Sequence, residues 1–215
     1  MNFEAQRIKM VDNQIRPTDV TSHSILSAFL TVPREAFVPD AKALLAYIDT
    51  DIALAPGRYL MEPSPLAKLL QLAEIKPTDR VLEVGAATGY ATAILSRVAA
   101  SVVGLESDAA LVATARETLA RLGYAADLVE GDLEKGVPAK APFDVIFVNG
   151  AVEFVPDALV AQLAEGGRLV AVIGEGNASR ARLFLKELGI VSERVAFNTA
   201  VRPLPGFRLA REFVF

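Results

Sequence analysis

The chain has 215 residues and no cysteine; at this length it buries roughly 70% of its unfolded surface without staples, and the lack of thiols excludes disulfides and zinc thiolate sites and points to a reducing cytoplasm. A formal net charge of −4 gives no basic footprint for nucleic acid. Although 52% of the residues are hydrophobic, no apolar run approaches the ~20 residues of a membrane span.

The first fifty residues read as helical. The opening MNFEAQRIKM is charged and lacks a signal-peptide apolar stretch. Phe3 to Gln14 and Asp19 to Val32 each carry apolar residues at mixed spacings of three and four, the pattern of amphipathic helices, and are separated by Pro17. The only histidine, His23, falls on the second of these as a surface residue, which leaves almost no material for a metal site or a histidine-based triad. The charged string RIKMVDNQIR reads as a solvated helix face. The stretch DTDIALAPGRYLMEPSP (49–65) then reads as a long loop, and loops of that length inside a compact domain are often functional.

From Lys76 the rhythm changes to short apolar runs alternating with helices. Val81–Val84, Val102–Glu106, Asp127–Glu130, Val145–Val148 and Leu169–Ile173 are expected strands, and their near-continuous apolar character suits a parallel sheet covered on both faces. A helix is expected on the stripe Leu111, Ala115, Leu119, Leu122, stopped by Gly123. A second is expected on Ala181, Phe184, Leu185, Leu188, started by Asn177 and stopped by Gly189. The runs Arg194–Ala200 and Arg208–Phe215 are read as a terminal hairpin, with PLPGF (203–207) as the turn before the last strand or, alternatively, the edge of a pocket. The alternation predicts a doubly wound α/β fold. Residues 1–75 are expected to supply helices and a substrate loop, and 76–215 the ligand-binding α/β part, in one compact unit.

The segment VLEVGAATGY (81–90) passes from strand through small residues into a helix. Gly85 and Gly89 permit positive φ and close backbone approach, and Thr88 is placed to cap the helix. Ligands of doubly wound sheets sit at such strand ends. A dinucleotide fingerprint would want glycine where Ala87 and Tyr90 stand, which disfavours NAD. Glu83, Gly85 and Gly89 instead meet E-x-G-x-x-x-G, which fits S-adenosylmethionine, a ligand without pyrophosphate. Glu106 ends the second strand 21 positions after Gly85, where a carboxylate can accept from both ribose hydroxyls. Asp132, in GDL after the third strand, can accept from an adenine amino group.

Beyond these signals, nearly the whole chain resembles the protein-L-isoaspartate O-methyltransferases, in MVDNQIRP (10–17), VPREAFVP (32–39), VLEVGAATGY (81–90), EGDLEKGVPAKAPFDVIFV (130–148) and LVAQLAEGGRLVAVIG (159–174). The resemblance implies a Rossmann-like methyltransferase sheet of seven strands with N-terminal helices, using S-adenosyl-L-methionine to esterify isoaspartyl carboxylates of damaged proteins. The expected cofactor-contacting residues are Glu83, Gly85, Ala86, Ala87, Thr88, Gly89, Glu106, Ser107, Asp132, Leu133 and Asn149. The expected partner is a protein or peptide carboxylate, with neither membrane nor nucleic acid.

One segment departs from the family. Its substrate loop, G-Q-T-I-S-Q-P, falls on Gly57, Arg58, Tyr59, Leu60, Met61, Glu62 and Pro63, so that Met61 takes the place of the active-site serine, and Ser64 is out of register. Asn149, Gly150 and Ala151 replace a small Thr-Ala-Ala stretch. No catalytic side chain is therefore assigned. Arg58 is a candidate for bidentate capture of an acceptor carboxylate, or else a solvated loop arginine; Tyr59 and Met61 either line the pocket or fill space. Two alternatives stay open: a methyltransferase of the same fold with another acceptor, and a cofactor-binding protein without catalysis.

Overall fold

A computed structural model describes residues 2–209. Helix α1 (Phe3–Met10) starts at Asn2, whose Oδ1 accepts from the Ala5 N–H at 3.0 Å. The winding then widens into a π-turn over Val11–Ile15, which buries Val11 and Ile15 in the core. Helix α2 (His23–Thr31) starts at His23 rather than Asp19, because Asp19 adopts a left-handed φ of 64° and Ser22 provides the cap. His23 itself is exposed.

The stretch read as a loop holds more order than its composition shows. Strands β1 (Ile52–Ala55) and β2 (Arg58–Leu60) pair antiparallel around Gly57, which has φ 69°. Helix α3 (Pro63–Leu72) follows, with proline in the first turn, where a missing N–H costs nothing.

The remaining elements alternate: β3 (Arg80–Val84), α4 (Tyr90–Ser96), β4 (Ser101–Glu106), α5 (Ala109–Leu122), β5 (Asp127–Glu130), β6 (Phe143–Val152), α6 (Asp157–Ala161), β7 (Leu163–Ile173), β8 (Arg180–Glu187) and β9 (Ile190–Asn198). They build one seven-stranded sheet in the order β5-β4-β3-β6-β7-β8-β9. Pairing is parallel from β5 to β7, and antiparallel at β8 and β9. The chain order reverses between β3 and β6, which is the switch point at which such sheets bind ligands.

Both faces of the sheet are covered, as the apolar runs predict. Val81, Val145, Phe147, Val170 and Val172 face the core shared with the N-terminal helices. Their neighbours Leu82, Val84, Ile146, Val148, Leu169 and Ala171 face a second core closed by Leu204 and Phe207. Gly123 ends α5 at φ 74°, as expected.

The helix expected over Ala181–Leu188 is a strand. Leu188, part of the supposed stripe, is 93% exposed. It forms with Gly189 a two-residue turn in which both have positive φ, 52° and 75°, the conformation that suits a tight hairpin. The glycine that looked like a helix stop is therefore a strand reversal, and Asn177 starts no α-helix. A hairpin joins β8 to β9, and the expected pairing of Arg194–Ala200 with Arg208–Phe215 involves Ala210–Phe215, which lie outside the described residues. Among the described residues, no helix is long and apolar enough to cross a membrane, and no group of three or more His, Asp or Glu is placed to hold a metal ion.

Candidate cofactor and acceptor site

The turn from β3 to α4 is shaped by its backbone. The N–H groups of Gly85 and Ala86 both donate to the Leu105 carbonyl, at 2.8 and 3.0 Å, which draws the turn over the end of β4. Gly85, Ala87 and Gly89 have φ of 90°, 49° and 91°. Two of these left-handed positions are glycine, as sterics favour. Gly89 has a further reason to lack a side chain: a Cβ there would come within 3.3 Å of Ala115 and Leu119 on α5. Thr88 does not cap α4. Its hydroxyl donates to the Phe37 carbonyl at 2.6 Å and ties the turn to the N-terminal region; Gly89 is the N-cap and offers no side chain.

Glu106 is the hub of this turn. It is fully buried at the end of β4. Its Oε2 accepts from the Ala87 N–H at 2.7 Å, and its Oε1 from the N–H groups of Ser107 and Asp108 at 2.8 and 3.2 Å. The Arg58 guanidinium also donates to Oε2, as a buried ion pair.

Glu83 lies one strand over and is also fully buried. Thr92 Oγ1 donates to it at 2.5 Å and Asn149 Nδ2 at 2.9 Å, so it fastens β3 to α4 and β6. Burial lifts its pKa to about 7, against the lowering effect of these two donors. This expected cofactor residue thus acts within the protein, beneath the turn. Asn149 belongs to the same bond.

Beyond Glu106, Ser107, Asp132 and Leu133 share a cavity of about 380 Å³ with Pro205 and Gly206. Asp132 is exposed and paired to Lys135, while Leu133 is buried. Of the expected cofactor residues, Ser107, Asp132 and Leu133 thus share this cavity, Gly85, Ala87 and Gly89 form the turn, Ala86 and Glu106 are buried, and Glu83, Thr88 and Asn149 bond within the protein.

The β1–β2 hairpin brings Arg58, Tyr59 and Met61 to the other end. Arg58 is 5% exposed, which excludes the solvated-loop alternative. Tyr59 is half-buried under the Arg202 guanidinium, 5.0 Å from the ring centroid, and Arg202 also contacts Asp51 at 3.3 Å. Met61 is buried, and its carbonyl accepts from Arg34 at 2.8 Å. Ser64 faces away and donates to Thr18 Oγ1 at 3.1 Å. Asp51, Arg58, Tyr59, Met61, Asn149 and Arg202 surround a cavity of only about 10 Å³, room for about one water.

Sequence reasoning missed two contributors. Arg34, inside VPREAFVP, is wholly buried, bonds the carbonyls of Ala46 and Met61, and lies 4.9 Å over the Tyr90 ring. Tyr90 turns toward Phe29 and Phe37 rather than crowding the sheet. The PLPGF segment, read as a turn or a pocket edge, lines both cavities, through Pro203 and Leu204 on one and Pro205 and Gly206 on the other. Pro203 bridges Ala151, and Leu204 packs so closely that a Cβ on Gly85 or Gly150 would lie 2.8 or 2.6 Å from it. The recurrence of apolar Val201, Leu204 and Phe207 at every third position, all buried in the structure, was the available signal.

A doubly wound parallel sheet, with a glycine turn and a strand-end carboxylate fixed by backbone donors at the switch point, defines an α/β enzyme domain of the nucleoside-binding kind. Comparisons narrow the class. The sequence profile of the protein-L-isoaspartate(D-aspartate) O-methyltransferase family matches residues 5–205. The protein-L-isoaspartate O-methyltransferase of Koribacter versatilis (strain Ellin345) is 39% identical over 95% of this chain and 92% of its own length. That of Methylorubrum extorquens (strain PA1) is 43% identical over 78% of this chain and 74% of its own. A solved protein-L-isoaspartate O-methyltransferase superposes with a TM-score of 0.80 at 31% identity, covering 93% of this chain and 66% of that one. A Plasmodium falciparum structure described as a putative protein-L-isoaspartate O-methyltransferase, solved with S-adenosyl-L-homocysteine, shares the fold at 22% identity and a TM-score of 0.77. The chain belongs to the protein-L-isoaspartate(D-aspartate) O-methyltransferase family and is an S-adenosylmethionine-dependent methyltransferase.

Proposed function

We propose that the chain methylates a carboxylate of a protein or peptide, in the manner of the isoaspartyl repair enzymes, with the cofactor along the groove from Gly85 to Asp132. The observation that carries this is Glu106, a carboxylate locked by three backbone N–H groups beside a glycine turn. Its carboxylate oxygens, at the end of β4, are acceptors of the kind the hydroxyls of a ribose diol require. The cavity of Ser107, Asp132 and Leu133 suits adenine. S-adenosylmethionine supplies, when bound, an activated methyl group on a sulfonium.

The chain's own task is then placement. A carboxylate acceptor with a pKa of about 4 is already ionised at pH 7 and needs no general base, so the protein must hold its oxygen in line and keep competing water away. Arg58, Tyr59 and Met61 form the acceptor side of the cleft in this reading. Residues 1–75 supply Asp51, Arg58, Tyr59 and Met61 to that side, which Asn149, Gly150 and Arg202 complete, and the cysteine-free composition accords with work in the cytoplasm.

The test offers radiolabelled methyl donor with an isoaspartyl peptide, its aspartyl twin, and whole-cell lysate. Preferential labelling of the isoaspartyl peptide is expected. Labelling of lysate alone would move the acceptor elsewhere, a reading that buried Met61 in place of a hydroxyl specifically favours. In parallel, Glu106→Ala should weaken S-adenosyl-L-homocysteine binding by about 1–3 kcal/mol, the range for bonds to charged groups. Unchanged affinity would remove the ribose from Glu106.

A further inference from the structure

Glu106 has no acceptor capacity to spare. A carboxylate offers about four lone-pair directions. In this chain they meet the Ala87 N–H and Arg58 on Oε2, and the Ser107 and Asp108 N–H groups on Oε1, with a longer contact from Ser107 Oγ at 3.4 Å. A diol that bonds this carboxylate must therefore displace a donor. The three backbone donors belong to the turn and to the end of β4, and cannot leave without unmaking them. Arg58 alone comes from a different segment, the β1–β2 hairpin, on a side chain with free torsions.

Two further observations concern the same side chain. Its Nη2 would lie 3.5 Å from a Cβ placed on Gly85, so the guanidinium stands directly over the glycine turn. Its Nε is buried without a hydrogen-bond partner, so the guanidinium is only partly satisfied where it lies. It also lines the small cavity shared with Asp51, Tyr59, Met61, Asn149 and Arg202. Within that ring the one carboxylate, Asp51, already accepts from the Glu62 N–H and pairs with Arg202.

We propose that Arg58 competes with the cofactor's ribose for Glu106, and that its displacement presents the guanidinium to the acceptor's carboxylate, making Arg58 the residue that couples cofactor binding to the choice of an anionic acceptor. This rests on the cofactor placement proposed above. It makes binding ordered, cofactor first. The position aligned with Arg58 is Gln in the family loop, so the coupling is a property of this chain's rewritten loop.

Two measurements test it. The first is calorimetry with S-adenosyl-L-homocysteine on the wild type, Arg58→Met and Arg58→Lys. Methionine keeps an apolar stem but no donor, and Glu106 retains its three backbone bonds. Arg58→Met should bind about tenfold more tightly, equivalent to about 1.4 kcal/mol, and Arg58→Lys should stay near wild type. Equal or weaker binding by Arg58→Met, with its circular dichroism and melting intact, overturns the proposal while leaving the cofactor site in place. No binding by either wild type or variant overturns the cofactor placement and the proposal with it.

The second measurement needs no variant. The wild-type chain is treated with an arginine-specific dicarbonyl, with and without S-adenosyl-L-homocysteine, and modification of Arg58 is read by peptide mass spectrometry. A bound ligand ordinarily shields the residues around it. Here the ligand should increase labelling of Arg58, and shielding or no change overturns the proposal.

Discussion

Glu83→Gln isolates the cost of holding a carboxyl group in the core. The side chain is fully buried, and its pKa stands at about 7 instead of 4.5, mainly through burial and secondarily through nearby Glu106. Below pH 4.5 the group is protonated in both the folded and the unfolded chain and has no effect on stability. Between 4.5 and about 7 the unfolded chain releases a proton that the folded chain retains, so stability falls as pH rises, and the loss is complete above about 7. At about 1.4 kcal/mol per pH unit the full loss is roughly 3 kcal/mol. Glutamine keeps an oxygen for Asn149 and carries no charge, and the Thr92 hydroxyl can rotate to accept from its amide. Urea unfolding of both proteins at pH 5 and pH 8 should show the variant gaining about 2–3 kcal/mol on the wild type between the two, through its midpoint at constant slope. Parallel stability–pH profiles would refute the reasoning, since Glu83 would then ionise as easily in the core as in water.

Two further perturbations address the turn and the rewritten loop. Gly85→Ala places a Cβ at φ 90° and 2.8 Å from Leu204; it should lower stability by about 1–2 kcal/mol in urea unfolding and abolish calorimetric binding of S-adenosyl-L-homocysteine, and retained binding would show that the ligand does not approach this backbone. Replacing residues 58–62 by Gln-Thr-Ile-Ser-Gln should raise methyl transfer to isoaspartyl peptide by about tenfold, or about 1.4 kcal/mol of transition-state stabilisation; brisk transfer by the natural chain, unimproved by the graft, would show that the hydroxyl is dispensable.

What could be read from the sequence is what strong local patterns encode. The buried parallel strands announced themselves as continuous apolar runs, and the β3–α4 turn as glycines between a strand and a helix. Glu106 was found because its distance from the turn follows from the length of one βα unit. Where two periodicities coincide, the reading failed. In RARLFLKELG the apolar residues fit a helical stripe, yet the chain alternates faces. Ala181 packs on the core of the N-terminal helices and Phe184 on the opposite one, with a turn at Leu188–Gly189. Short elements in proline-rich sequence were also hidden, as β1, β2 and α3 show, because their order comes from tertiary contacts. The Glu62 N–H bonds Asp51 at 3.0 Å, and Arg34 holds the Met61 carbonyl, and neither bond has a local signature.

The same distinction bears on how a family can keep one half of its site and rewrite the other. Around Glu106 the geometry is made by main-chain groups: two N–H groups on the Leu105 carbonyl, three on the carboxylate, and glycines at positive φ. Little of it depends on side chains other than Glu106, so substitutions elsewhere leave it standing. The proposed acceptor side is built the opposite way. Arg58, Tyr59 and Met61 hang on a two-stranded hairpin, and such hairpins have marginal stability of their own. It is held by the buried Arg34 and by Asp51, which bond backbone groups of residues 61 and 62 rather than the side chains that face the cleft. Those side chains can change while the hairpin stays in place. With Met61 in place of a serine, the proposed acceptor side therefore lacks a hydroxyl without the loop being unmade, and with Arg58 in place of glutamine a cation is set against Glu106, the carboxylate around which the turn is built.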